Sequence, residues 1–269
     1  MIHPTAVIHP RAQLDPTVTV GPYTVIDEHV IIGAGNVVGP HVYLTGHTTL
    51  GIGNHIHAGS VLGNTPQDFK YKGEPTRLRL GDHNTIREHV TLNCSNKVEE
   101  DTVIGSHCLI THHVHVGHNT VVGDHVLLGG GTQLAGHVTV GDRAFLSGNC
   151  LVHQFCRVGT LALMQGGSAI SIDLPPFCIA SGGNGIAGLN VIGLRRAGFS
   201  PAERLELKQV YHALFRTRTR FQQALEDASN RFHGAAARTM IEFAASTKRG
   251  LCRDLSMRER AAGDAEELG

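Results

Sequence analysis

Residues 104–122 read Ile104-Gly105-Ser106-His107-Cys108-Leu109-Ile110-Thr111-His112-His113-Val114-His115-Val116-Gly117-His118-Asn119-Thr120-Val121-Val122, and an aliphatic residue returns at every sixth step. The beat continues from Val122 through Leu128, Leu134, Val140, Leu146, Val152, Val158 and Met164 to Ile170. Toward the N-terminus it runs from Ile2 through Ile8, Leu14, Val20, Ile26, Ile32, Val38, Leu44, Leu50 and Ile56 to Leu62, and it resumes at Leu80, Ile86 and Leu92. Only 41% of the chain is apolar, so a run of this length without a miss is a structural repeat. It predicts a triangular coil in which each hexapeptide is one short strand with one side chain pointing inward. Three hexapeptides make a turn of eighteen residues, so residues eighteen apart become neighbours across parallel strands about 4.8 Å apart. Gly often follows the inward residue, as in Val20-Gly21, Ile32-Gly33, Leu50-Gly51, Val122-Gly123 and Val140-Gly141, with Asn or Asp nearby in Gly35-Asn36 and Gly123-Asp124. These residues are expected to relieve the tight backbone of the corners. Periodicity alone leaves the handedness open.

Two polar stretches, 64–77 and 94–101, break the beat and are expected to leave the coil as loops, which are frequent carriers of function on rigid scaffolds. From about Leu189 the period changes. Ser200-Pro201-Ala202-Glu203 supplies an N-cap, a first-turn Pro and a capping-box Glu. Leu205, Leu207, Val210, Tyr211, Leu214 and Phe215 then give an apolar helical face, with one or two further helices near Leu225 and Met240–Ala245. The chain therefore divides into a β-helix over 1–188 and a C-terminal helical domain over 189–269, which caps one end of the coil or covers its side. The charged segment Arg253–Gly269 is expected to fray.

The formal net charge is zero, so nothing global points to nucleic acid or an anionic membrane as partner. Met1-Ile2-His3-Pro4 has no basic region before an apolar stretch, and no later segment is long enough to span a bilayer, which implies a soluble, cytoplasmic protein without integral membrane association. Cys94, Cys108, Cys150, Cys156, Cys178 and Cys252 lack a C-x-x-C pair, so they read as reduced packing residues.

Most of the 19 histidines are expected to be corner or surface residues. The segment Thr111–Asn119 is denser, and His115 and His118 flank the inward Val116 with outward-facing side chains. Stacking by eighteens puts His118, Gly136 and Gln154 on one line, with His137 and His153 beside it. Such a ladder can bind a polar substrate, and an exposed glycine N–H can receive an oxyanion.

Gln67-Asp68-Phe69-Lys70-Tyr71-Lys72-Gly73-Glu74-Pro75-Thr76-Arg77, Ile86-Arg87-Glu88, Leu134-Ala135-Gly136-His137-Val138, Val152-His153-Gln154-Phe155-Cys156 and Gly193-Leu194-Arg195-Arg196 with Gly198-Phe199 together resemble the UDP-N-acetylglucosamine O-acyltransferase family, which opens lipid A biosynthesis. The resemblance implies a left-handed parallel β-helix and a homotrimer with active sites between subunits, using neither metal nor cofactor. It implies transfer of a 3-hydroxyacyl chain from acyl carrier protein to the 3-hydroxyl of UDP-N-acetylglucosamine. His118 is then the general base and the Gly136 N–H the oxyanion donor. Asp68, Lys70 and Asn93 fall at sugar-contacting places, His115, His137 and Gln154 around sugar and diphosphate, and His153 with Gly166 along the acyl channel. Asn190 and Arg196 fall at phosphate-contacting places. An acidic carrier protein could be steered by Arg195, Arg196, Arg204, Lys208, Arg216, Arg218 and Arg220, which face only Glu203 and Glu206 in that stretch; the alternative is a solvated helix face.

Several positions depart from the family pattern. Asn119 follows the base where Asp is common, Asn93 replaces a common His, the loop after Asn93 lacks the usual His-Arg-Gly, and Ile192 and Ala197 replace an acidic and a basic residue. These leave room for a 3-amino analogue of the sugar, for another nucleotide sugar, or for a non-catalytic binding protein. A γ-type carbonic anhydrase would use His113 and His118, but its upstream ligand position is Arg77. A small residue at Gly166 admits a medium to long acyl chain in the family. Gly166→Met should therefore shift the preferred donor to shorter chains, read by competing acyl carrier proteins of different lengths; an unchanged preference would remove Gly166 from the channel.

Overall fold

The structure is a computed structural model that describes residues 1–217 and 219–257. Among the described residues three sheets of nine, eight and eleven strands, parallel apart from one hairpin at the C-terminal end of the third, form the faces of a left-handed β-helix. The first face runs from strand Val7–Ile8 to Ala169–Ile170, the second from Gln13–Leu14 to Arg157–Val158, and the third from Thr19–Val20 toward the C-terminus. Val7 pairs with Val25, and Leu109 with Leu127, the interval of eighteen expected from the sequence. Val61 pairs instead with Thr91 and Arg77 with Asp101, because the two predicted loops leave the coil there and return in register. Their bases stay packed: Thr76, Cys94 and Ser95 are buried, and the Thr76 hydroxyl donates to Cys94 Sγ at 3.3 Å.

From Val20 to Ile170 every sixth-position residue is at most 3% exposed. Ile2 is half exposed and Ile8 and Leu14 partly so, because the first coil has no neighbour beneath it. A second inward column, not evident from the aliphatic beat, lies two residues earlier. It holds small residues such as Thr24, Asn36, Asn54, Asn84, Cys108, Thr120, Val138, Cys150 and Ser168, all buried. Their size fits the narrow space beside each corner, and their polar atoms bond backbone from coil to coil. Asn36 Oδ1 accepts from Asn54 N–H (3.0 Å), Asn54 Oδ1 from Asn84 N–H (2.8 Å) and Asn84 Oδ1 from Cys108 N–H (2.8 Å). The six cysteines are buried.

The glycines that follow inward residues have a different role from the one expected. None of Gly21, Gly33, Gly51, Gly123 and Gly141 has a positive φ; a Cβ at Gly33 would lie 2.5 Å from the Gly51 carbonyl oxygen of the next coil. They permit close stacking. The left-handed corner residue sits three places after the inward one and is often His: His41, His83, His89, His107, His113, His125 and His137 all have φ between 54° and 59°. Asn119 shares that conformation with φ 58°. This explains much of the histidine content, since His, Asn and Gly populate this region more readily than bulkier residues.

After the last full coil, Cys178–Ser181 and Gly185–Leu189 form an antiparallel hairpin on the third face, and α1 (Val191–Arg196), α2 (Pro201–Phe215), α3 (Phe221–Arg231) and α4 (Ala235–Ala245) follow. The capping box at Ser200 and Glu203 forms as predicted. Leu205 does not join the buried face of α2; it is 57% exposed, while Leu207, Val210, Tyr211 and Leu214 pack inward. The helices share one apolar cluster with the prism, and Arg157 of the second face reaches the Phe243 carbonyl (3.0 Å) and buried Asp173 (2.8 Å). No helix among the described residues is long and apolar enough to cross a membrane.

The segment expected to fray begins instead as strand Arg253–Asp254, paired with Gly185–Leu189. Residues 258–269 and Arg218, part of the expected tail and basic cluster, lie outside the described residues. Asp254 is buried and accepts from Arg216 Nε (2.8 Å), the Tyr211 hydroxyl and Ser256 N–H (3.0 Å). Burial alone would raise its carboxyl, but hydrogen bonds from Ser256, Tyr211 and Arg216 outweigh it and hold the pKa at about 2, against an ordinary 3.8. A depressed carboxyl stabilises the fold fully above its ordinary pKa and loses that effect as pH falls toward the folded value. The stability difference between this chain and Asp254→Asn should thus be largest near neutrality, about 2 kcal/mol or more from the shift alone, and shrink between about pH 4 and pH 2 in denaturant unfolding.

Candidate active site

On the first face, a cleft of about 650 Å³ opens beside the coils that carry His115, His118, Gln133, Gly136, His153 and Gln154. Strand His115–Val116 pairs with Gln133–Leu134, and that with Leu151–Val152, so the predicted line His118, Gly136, Gln154 is assembled by register. Gln67 and Asn93 line the cleft from the loop side, and Ser171 and Asn184 close its far end.

His118 packs its ring on Gly136. A Cβ at residue 136 would lie 2.6 Å from His118 Nε2 and Cε1, which is why a glycine without positive φ stands there. His118 Nδ1 meets Asn119 Oδ1 at 2.8 Å. Among the described residues no hydrogen bond is formed by the Gly136 N–H, while its carbonyl accepts from Phe155 N–H at 3.1 Å. The arrangement offers a base nitrogen and a free backbone donor within one small area, the combination that acyl transfer needs.

Two imidazoles flank His118. His115 shares a 2.8 Å hydrogen bond with Thr91, and His137 stands edge-on to His118 with ring centres 5.2 Å apart while stacking on Phe155. Burial, then the neighbouring His118, lowers the pKa of both. Both therefore favour the neutral form near pH 7. Asp68 is held below the ordinary carboxylate range by the Lys70 backbone N–H (2.9 Å) and the Asn96 amide (2.6 Å), and the nearby His118 contributes.

The predicted residues separate into three groups. His118, Gly136, His115, His153, Gln154 and Asn93 line the cleft, with Asp68 and His137 directly against its His118 side. Asn93 donates to the Thr65 carbonyl at 2.6 Å, and its buried Oδ1 has no hydrogen-bond partner among the described residues. Lys70 is exposed on the first loop. Gly166, Asn190 and Arg196 do not line the cleft. Gly166 follows strand Leu163–Met164 of the third face, a different corner from that of His118. A Cβ there would meet nothing nearer than 3.5 Å, so packing within the chain does not require glycine at 166. Asn190 is buried as the N-cap of α1, accepting from Gly193 N–H (3.0 Å) and donating to the Leu161 carbonyl (2.9 Å); Arg196 is exposed on the same helix.

Gln133, Ser171 and Asn184 were absent from the sequence reading, and Gln67 entered it only as part of the loop motif, without a site role. Gln133 could have been found, since it stands eighteen residues after His115 on the same outward column. Arg249, whose guanidinium reaches His153 Nδ1 at 3.4 Å, comes from beyond α4 and has no periodic signal. His113 stacks on His89 and does not line the cleft with His118, so the two histidines spaced like zinc ligands serve different corners.

Comparison with known proteins gives a consistent result. The family description "Udp N-acetylglucosamine O-acyltransferase; Domain 2" matches residues 173–252. An acyl-[acyl-carrier-protein]–UDP-N-acetylglucosamine O-acyltransferase of an Anaeromyxobacter species is 43% identical over 257 residues, covering 94% of this chain and 99% of that protein. The Myxococcus xanthus enzyme of the same name is 43% identical over 255 residues with the same coverage. The solved UDP-N-acetylglucosamine acyltransferase of Bacteroides fragilis matches with a TM-score of 0.90 at 35% identity, over 94% of this chain and all of the other. The Arabidopsis structure of the same name gives 0.84 at 32% identity, again over 94% of this chain and all of its own. Likeness of this extent runs through the prism, both loops and the helices, and the chain belongs to the acyl-[acyl-carrier-protein]–UDP-N-acetylglucosamine O-acyltransferase family.

Proposed function

We propose that this chain transfers a 3-hydroxyacyl group from acyl carrier protein to the 3-hydroxyl of UDP-N-acetylglucosamine, the opening step of lipid A biosynthesis, with His118 as base. The observation that carries this reading is His118 Nε2 resting against Gly136 while Nδ1 is engaged by Asn119. His118 Nε2 takes the proton of the sugar hydroxyl as its oxygen attacks the thioester carbonyl. The Gly136 N–H stabilises the oxyanion, and collapse expels the phosphopantetheine thiolate, which recovers the proton from His118.

Asp68, Asn93, His115 and Gln154 then orient the sugar and its diphosphate, and His153 begins the acyl channel. Because Gly166 stands at another corner, its part in that channel requires a second copy of the chain. An outward apolar column on the third face, Leu109, Leu127, Phe145 and Leu163, supports burial between copies and hence the homotrimer. Arg204, Lys208, His212 and Arg216 line a second cavity of about 430 Å³ and are consistent with steering of an acidic carrier protein.

Incubation with 3-hydroxyacyl carrier proteins of several lengths and UDP-N-acetylglucosamine or its 3-amino analogue, followed by mass spectrometry, should yield the acylated sugar nucleotide. Product from the analogue alone would move the acceptor from hydroxyl to amine. His118→Ala should lower kcat by roughly 10² to 10⁴, and ordinary turnover by that variant would refute the base. Gly136→Ala should also lose activity, because its methyl group displaces the His118 ring.

A further inference from the structure

Asn119 is held on every side, and its partners fix which way its amide points. The Asn96 backbone N–H can only donate, so the side-chain atom 3.0 Å from it is Oδ1. The ionised Glu100 carboxylate can only accept, so the atom 2.6 Å from its Oε2 is Nδ2, which also donates to Ser95 Oγ at 2.9 Å. With Oδ1 thereby turned to the imidazole at 2.8 Å, His118 Nδ1 must carry the hydrogen. Nε2 is then the unprotonated nitrogen, facing Gly136.

We infer that Glu100 is a positioning residue for His118, acting through the Asn119 amide to fix the imidazole tautomer and to offset the positive charge that forms when Nε2 takes a proton. The inference rests on the reading of His118 as base. The family's usual Asp after the base supplies a carboxylate directly; here the carboxylate stands one side chain further away, on the second loop. Lys97 Nζ pairs with Glu100 Oε1 at 2.7 Å and leaves Oε2 for Asn119. That hydrogen bond from Lys97 comes first in lowering the Glu100 pKa; burial opposes it and the Asn119 amide adds to it, so the carboxylate is charged at neutral pH.

The charged and titratable groups around His118 come from four elements. Asp68 lies on the first loop, paired with Asn96 and near Lys70; Lys97 and Glu100 lie on the second. His115 comes from its own face and His137 from the next coil, the latter with Nδ1 3.7 Å from Glu100 Oε2. Since both imidazoles are neutral near pH 7, Asp68 and Glu100 are the anions that can favour a protonated His118. Glu100 reaches Nδ1 through the Asn119 amide alone, whereas Asp68 is linked to it through Asn96 and then Asn119.

Glu100→Gln keeps the side-chain shape and removes the charge. It should lower kcat about 10- to 100-fold, the scale seen when a partner that orients a functional histidine is removed, with KM for the sugar nucleotide changed less than about threefold. The acid limb of the kcat–pH profile should move down by about half a unit or more, because the imidazolium loses a nearby anion. Asn119→Asp should restore activity to within about threefold in the Glu100→Gln background, by analogy with the direct carboxylate–imidazole pair. In the unaltered chain the same substitution sets two carboxylates at the present 2.6 Å contact and should reduce activity. The two variants in the rescue share the Glu100 substitution, so a common folding defect cannot produce the recovery. Unchanged kcat and pH profile in Glu100→Gln, or a loss that Asn119→Asp leaves uncorrected, would overturn the inference while leaving the base in place. Normal turnover by His118→Ala would remove both.

Discussion

Every feature of this protein depends on coil-to-coil stacking at an interval of eighteen residues. Backbone groups of one coil bond those of the next, as in Leu109 N–H to the Val126 carbonyl (3.0 Å) and Leu127 N–H to the Ala144 carbonyl (3.0 Å). A slip of register would turn inward aliphatics toward water and abandon these bonds at once, so the arrangement is strongly specified. Each coil touches mainly its neighbours, which lets the chain widen at two points without losing the stack. The loops leave after Asn64 and after Asn93 and rejoin at Arg77 and Asp101, where the arginine and aspartate pair at 2.6 Å.

This rigidity is what the site uses. Columns on the outer surface hold side chains at fixed separations, so His118, Gly136 and Gln154 need no flexible segment to converge. The loops add what a regular coil cannot: Asp68, Asn96 and Glu100 reach over the corner from stretches with no periodic constraint, and they supply charge and hydrogen bonds around His118 and Asn119 on the scaffold. Scaffold and loops thus contribute different things, position from the first and electrostatics from the second.

Most of the fold was legible because the aliphatic beat is both long and directly tied to burial. The second inward column was not, since Thr, Asn, Ser, Cys and Val do not form one class on any hydrophobicity scale, although they are alike in size. The glycine rule was misread for a related reason: frequency shows that glycine is needed but not whether a positive φ or a close approach demands it. In the site, the His118 line followed from arithmetic on the period. Glu100 and Arg249 did not, because contacts made by irregular segments leave no regular spacing in the chain, and the cap role of Asn190 depends on where α1 begins.

The residue after His118 shows how backbone and chemistry constrain one another. Position 119 is a left-handed corner, three after the inward Val116, and that conformation favours Asn, Asp, His or Gly. Backbone geometry therefore narrows the choice without making it. Glycine would leave the His118 Nδ1 hydrogen bond unmade. Aspartate would satisfy it, but with Glu100 in place it would bring two carboxylates into contact, which disfavours both being ionised. Asparagine presents an acceptor to the imidazole and donors to Glu100 and Ser95 at the same time, the only one of the four that matches all three neighbours. Asn119 and Glu100 are accordingly one unit, and the departure from Asp at 119 is matched by the carboxylate that a separate loop brings behind it.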